Sequence, residues 1–109
     1  MLVALKNYVY AIDNFYDQNK ISCQLKPLRI RIITEEQLNS PKFFIYIDPI
    51  MFGRYFREDQ HLYLTPEALH KKRYFAHEMA HYLYDTCGIH FKSDQEEHDQ
   101  IKQFLKRLK

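Results

Sequence analysis

Residues 77–81 read His77-Glu78-Met79-Ala80-His81, and that spacing restricts how the surrounding chain can fold. On an α-helix, residues i and i+4 lie on one face a turn apart, so two imidazoles spaced this way converge. Convergent neutral imidazoles are good zinc ligands, at about 2.0–2.1 Å from the metal. A glutamate directly after the first of them stands beside such an ion rather than on it. There it can take a proton from a water as general base. The spacing therefore predicts a helix through 77–81, a metal on His77 and His81, and Glu78 as the catalytic residue.

A chain of 109 residues fits one domain, 1–109, and 46% hydrophobic residues suffice for a modest core. The net charge of +2, from Lys+Arg 16 against Asp+Glu 14, is too balanced to point to nucleic acid. The basic runs Lys71-Lys72-Arg73 and Lys102, Lys106, Arg107, Lys109 read as solvated helix faces, the second also favouring a helix C-terminus. Two cysteines, Cys23 and Cys87, are too few for a disulfide scaffold. The opening Met1–Tyr8 is interrupted by polar residues too early for a signal segment. No apolar run approaches the ~20 residues of a membrane span. The expectation is a cytoplasmic protein with free thiols and no membrane partner.

Val3, Leu5, Tyr8, Val9, Ile12, Phe15 and Tyr16 have helical spacing and predict an N-terminal helix over 2–18 with one apolar stripe. Alternation over 28–33 predicts a strand with one wet face, and 43–47 a second. Between them Thr34 caps a short helical turn that Pro41 ends, and Asp48-Pro49 marks a turn. Residues 52–57 and 61–64 flank Glu58-Asp59-Gln60 as a hairpin, with Gly53 marking a bulge or a close backbone approach. Thr65-Pro66-Glu67 starts the motif helix, which runs to about Asp85 and ends near Gly88. Cys87, just before that glycine, reads as capping context rather than as a ligand. Ser93 or Asp94 caps a last helix with the stripe Ile101, Phe104, Leu105 and Leu108. This is an α+β domain: an N-terminal helix, a small, mostly antiparallel sheet, the motif helix and a C-terminal ligand helix.

Zinc wants at least three protein ligands. Candidates after His81 are His90, Asp94, Glu96, Glu97 and His98. Helix phase carries Glu97, His98 and Asp94 inward with the stripe and Glu96 outward with Gln100, Gln103 and Arg107. An inward carboxylate is costly unless paired or on a metal, which favours Glu97 over the others.

The segments Leu62-Tyr63-Leu64-Thr65-Pro66-Glu67 and Arg73-Tyr74-Phe75-Ala76-His77-Glu78-Met79-Ala80-His81-Tyr82-Leu83 resemble the strand, loop and active-site helix of ImmA/IrrE-type metallopeptidases. In those proteins a later helix reads E-A-N-x-F-A-x-x-L-L, and its glutamate is the third zinc ligand. The resemblance places that glutamate at Glu97, its aromatic at Ile101 and its terminal pair at Phe104-Leu105. It departs at His98-Asp99, where the family prefers Ala-Asn. In size and plan the chain is also similar to the minigluzincins.

The function expected is a zinc-dependent endopeptidase of narrow specificity, cleaving through a zinc-bound water that Glu78 activates. Its protein or peptide substrate would lie along an edge strand at His61–Leu64. A further donor to the developing oxyanion would come from Tyr55, Tyr63, Tyr82, Tyr84, His61, His90 or His98. The alternative is a zinc-stabilised or degenerate domain that binds a protein without cleaving it.

Overall fold

The computed structural model describes residues 2–38 and 53–109, so the strand expected over 43–47 and the turns at Pro41 and Asp48-Pro49 lie outside the described residues. The elements are α1 (Leu2–Asn19), β1 (Arg29–Ile32), α2 (Glu35–Leu38), β2 (Gly53–Phe56), β3 (His61–Leu64), α3 (Pro66–His70), α4 (Lys72–Thr86) and α5 (Asp94–Lys106). The α+β class expected from the sequence is the class observed.

The three strands pair in the order β1-β3-β2. β3 runs antiparallel to β2, with Gly53 opposite Leu64 and Phe56 opposite His61, which is the expected hairpin. It runs parallel to β1, with Arg29 opposite His61 and Ile32 opposite Leu64. Among the described residues the sheet is therefore mixed, not mostly antiparallel, and His61–Leu64 is its centre, not an edge. The reason lies in burial. Leu62 and Leu64 are fully buried on the helix side and Tyr63 is buried on the other, and a strand covered on both faces belongs inside a sheet. β1 is the opposite case. Ile30 and Ile32 remain 40% and 44% exposed, so it has no dry face, and the first buried residue beyond it is Ile33.

Helices pack on the Leu62/Leu64 face. The core gathers Ala11 and Phe15 from α1, Phe75, Ala76, Met79, Ala80 and Leu83 from α4, and Ile101 and Phe104 from α5. The buried side of α1 is turned from the expected stripe. Leu5 and Val9 are exposed, while Asn7 and Asn14 are buried. Asn7 donates to the carbonyl of Leu69, and Asn14 accepts from the Lys109 backbone N–H. Two asparagines thus occupy positions that apolar periodicity assigns to hydrophobic residues.

Capping follows the sequence closely. Thr34 and Gln37 form a reciprocal capping box on α2. Thr65 Oγ1 accepts from Ala68 N, with Pro66 in the first turn of α3. Ser93, rather than Asp94, caps α5 through Glu96 N. Gly88, at φ 72°, ends α4 in a Schellman motif, with Ile89 N on Tyr84 O and Gly88 N on Asp85 O.

Two further expectations fail. The motif helix does not start at Thr65, because Lys71 is extended (φ −103°, ψ 109°) and divides α3 from α4. In a continuous helix the Leu69 carbonyl would accept from residue 73, but here it accepts from Asn7 of α1, so a tertiary bond replaces a helical one. Nor are the thiols free. Cys23 and Cys87 form a disulfide, their Cα atoms 5.5 Å apart across a sequence separation of 64. Tyr16 donates to the carbonyl of Cys23, Lys26 N donates to Thr86 Oγ1, and Tyr82 donates to the carbonyl of Lys26. The first of these bonds ties the segment after α1 to α1 itself and the other two tie it to the end of α4, which brings the two cysteines together. A disulfide suits an oxidising compartment, so the cytoplasmic expectation loses the support it drew from free thiols. No helix among the described residues is long and apolar enough to cross a membrane.

Candidate metal and catalytic site

The site forms where one face of α4 meets β2 and the first turns of α5. His77 and His81 share that face, as their spacing requires, with ring centroids 5.6 Å apart. His98 of α5 completes a triangle, 5.0 Å from His81 and 6.2 Å from His77 by ring centroids. A nitrogen from each of the three lies within 4.8 Å of the other two. Three imidazoles at one point match the donor chemistry of a divalent transition metal such as zinc.

Glu97 is buried, at 8% exposure, and Glu96 is exposed, the orientation that helix phase predicts. The Glu97 carboxylate meets the histidines edge-on. Its Oε2 is 2.5 Å from His81 Nδ1, and its Oε1 is 3.4 Å from Arg57 Nη2. Acceptance of the His81 hydrogen bond holds the Glu97 carboxyl below the usual range, reinforced by the charges of His81, Arg57 and His98 and opposed by burial. Asp94 and His90 are exposed. Arg57 is the partner that sequence reasoning missed, since it sits in the hairpin turn and meets Glu97 across 40 residues.

Glu78 is the most secluded of the group, at 6% exposure, with Oε1 3.8 Å from His77 Nε2. Burial pushes its carboxyl above the ordinary value, partly offset by the charges of His81 and Arg54. That direction suits a general base, whose affinity for a proton has to approach the working pH. Seclusion depends on Gly53. A Cβ there would lie 2.8 Å from Glu78 Cγ, 2.7 Å from the Tyr63 carbonyl oxygen and 2.8 Å from Leu64 Cδ2. The glycine permits a close backbone approach. Gly53→Ala is expected to cost about 1–3 kcal/mol through overpacking, since a backbone oxygen cannot swing aside. Thermal denaturation checks this, and an unchanged melting temperature would show that β2 relaxes freely.

Several oxyanion candidates are engaged elsewhere. Tyr55 donates to Asp85 at 2.7 Å, and burial with that bond raises its phenol far above 10. Tyr82, pushed up to about 12 mainly by burial, donates to the Lys26 carbonyl. His61 stacks on Tyr63, with centroids 4.5 Å apart, and both alternate with Leu62 and Leu64, so they lie on the sheet face away from α4.

Neither protein-family models, nor curated proteins, nor solved structures give a match to this chain. The chemistry of these side chains therefore has to carry the functional reading.

Proposed function

We propose that this chain is a zinc-dependent peptidase in which His77, His81 and one side chain from the first turns of α5 hold the metal and Glu78 is the general base. The observation that carries this reading is the placing of Glu78. A purely structural site has no use for a secluded carboxylate, raised by burial, between two convergent histidines. Bound zinc would supply a water of lowered pKa and polarise a peptide carbonyl. Glu78 would accept the proton of the attacking water and return it to the departing amine, so one carboxyl serves both halves of hydrolysis.

The substrate would be a protein or peptide segment in extended form. Among the described residues β3 is paired on both sides and β2 on one, so the place for it along the sheet is β2, whose Gly53 adjoins Glu78 and whose far end leads to Arg57. Backbone pairing would supply affinity there, and side-chain contacts the selectivity for a particular partner protein.

Metal content tests the reading. Protein purified without added metal is expected to carry close to one zinc per chain, and His77→Ala with His81→Ala to carry none. Zinc undiminished in the double variant would remove the proposed site. A zinc-stabilised binding domain would pass this test as well, and is separated from a peptidase by replacement of Glu78.

A further inference from the structure

Glu97 and His98 are neighbours on α5, and both reach the histidine pair, but by different means. Glu97 contacts His81 at Nδ1, 2.5 Å away. On an imidazole, Nδ1 and Nε2 point to opposite sides of the ring. A carboxylate bonded at Nδ1 therefore leaves Nε2 to face a metal, and one carboxylate oxygen cannot serve both positions of the same ring. A carboxylate accepts and does not donate, so this bond puts the His81 proton on Nδ1 and the lone pair on Nε2.

His98 is set up in the same way from another source. Its Nδ1 lies 2.8 Å from the backbone carbonyl of Asp94. A carbonyl can only accept, so Nδ1 carries the proton and Nε2 the lone pair. The ring then sits 5.0 Å from His81 and 6.2 Å from His77 by centroids. Glu97, meanwhile, has its second oxygen on Arg57. Both of its oxygens are committed within the protein, whereas His98 has one nitrogen committed and one to offer.

We propose that His98 is the third metal ligand and that Glu97 is a positioning residue, which fixes His81 through Nδ1 and is itself held by Arg57. This rests on the zinc reading of His77 and His81 and refines it. The pattern is a metal-ligating histidine whose other nitrogen is held by a carboxylate, and that carboxylate by a cation. It also changes the charge of the site. Three neutral imidazoles leave the full double charge on the ion, where a ligating glutamate would cancel half of it.

Cobalt(II) replaces zinc at such sites and reports its ligand set by visible absorption, while competition with a chromophoric chelator reports zinc affinity. Glu97→Gln is expected to keep the cobalt band shape of the wild type and weaken zinc binding about 10–100-fold, as for loss of a supporting hydrogen bond. Arg57→Ala should keep the band shape and weaken zinc less. His98→Ala should alter the bands and lose affinity well beyond either. The reverse pattern, with bands altered by Glu97→Gln and kept by His98→Ala, would overturn the assignment. Imidazole NMR of the wild-type protein needs no variant and so does not depend on any variant folding. Zinc is expected to shift ring-nitrogen signals of three histidines, His98 among them, with the His81 Nδ1 proton retained. Two responding histidines, His77 and His81, would count against His98. A wild type that binds neither zinc nor cobalt would refute the metal site itself, a result distinct from either pattern among the variants.

Discussion

Glu78→Gln is expected to retain metal and fold while slowing peptide hydrolysis by about 10²–10⁴-fold, the usual worth of a positioned general base. The substitution keeps the volume and shape of the side chain, which matters because the wall that Gly53 forms leaves Glu78 no room to move. An amide has no site for the proton of the attacking water and none to return to the departing amine. Removing a secluded carboxylate also relieves a desolvation cost, so the melting temperature should not fall. The measurement is cleavage of an unstructured protein or a peptide library, followed by mass spectrometry, for wild type and variant at equal zinc content. Equal rates would mean that Glu78 does not move the proton. No cleavage by a zinc-loaded wild type across a broad library would instead favour the non-catalytic binding domain.

Loss of the Cys23–Cys87 disulfide is the largest stability effect expected. Cross-linking residues separated by 64 positions restricts the unfolded chain by about 4 kcal/mol in the chain-entropy model, and removal of native disulfides from small domains typically costs 2–5 kcal/mol. In a domain of this size each kcal/mol shifts the melting temperature by about 4–8 °C. Cys23→Ser with Cys87→Ser should therefore melt about 10–30 °C lower than the oxidised wild type. Reductant should lower the wild type to match and leave the double variant unmoved. Coincident melting curves for all four samples would show that the cross-link adds nothing to the bonds already joining Lys26 to the end of α4.

The sequence carried what local rules govern. Thr34, Thr65, Ser93 and Gly88 mark helix ends because capping needs only a few adjacent residues, and each performs that task. The i, i+4 pair at His77 and His81 and the inward phase of Glu97 were legible because a helix fixes direction by count alone. What escaped depends on distant partners. Lys71 divides two helices without Pro or Gly, and Asn7, 62 positions away, takes up the Leu69 carbonyl. Arg57 reaches Glu97 from a turn with no motif. Strand alternation defines the two faces of β3 but not its neighbours, and pairing with both β1 and β2 puts it at the centre and not at an edge. Two cysteines give no sign of pairing until the fold places them together.

The packing of α1 has a consequence in time. Its buried apolar residues, Ala11 and Phe15, rest against elements much later in the chain, and Gln18 donates to Phe104 across 86 positions. At synthesis rates of about 5–20 residues per second, α1 emerges from the ribosome several seconds before anything exists for it to dock on. During that interval Phe15 faces solvent or a chaperone. Cys23 must likewise wait for Cys87. The disulfide therefore sets an order of events: it can close only after the motif helix has been made. A chain oxidised at these two positions has been synthesised at least as far as the end of α4.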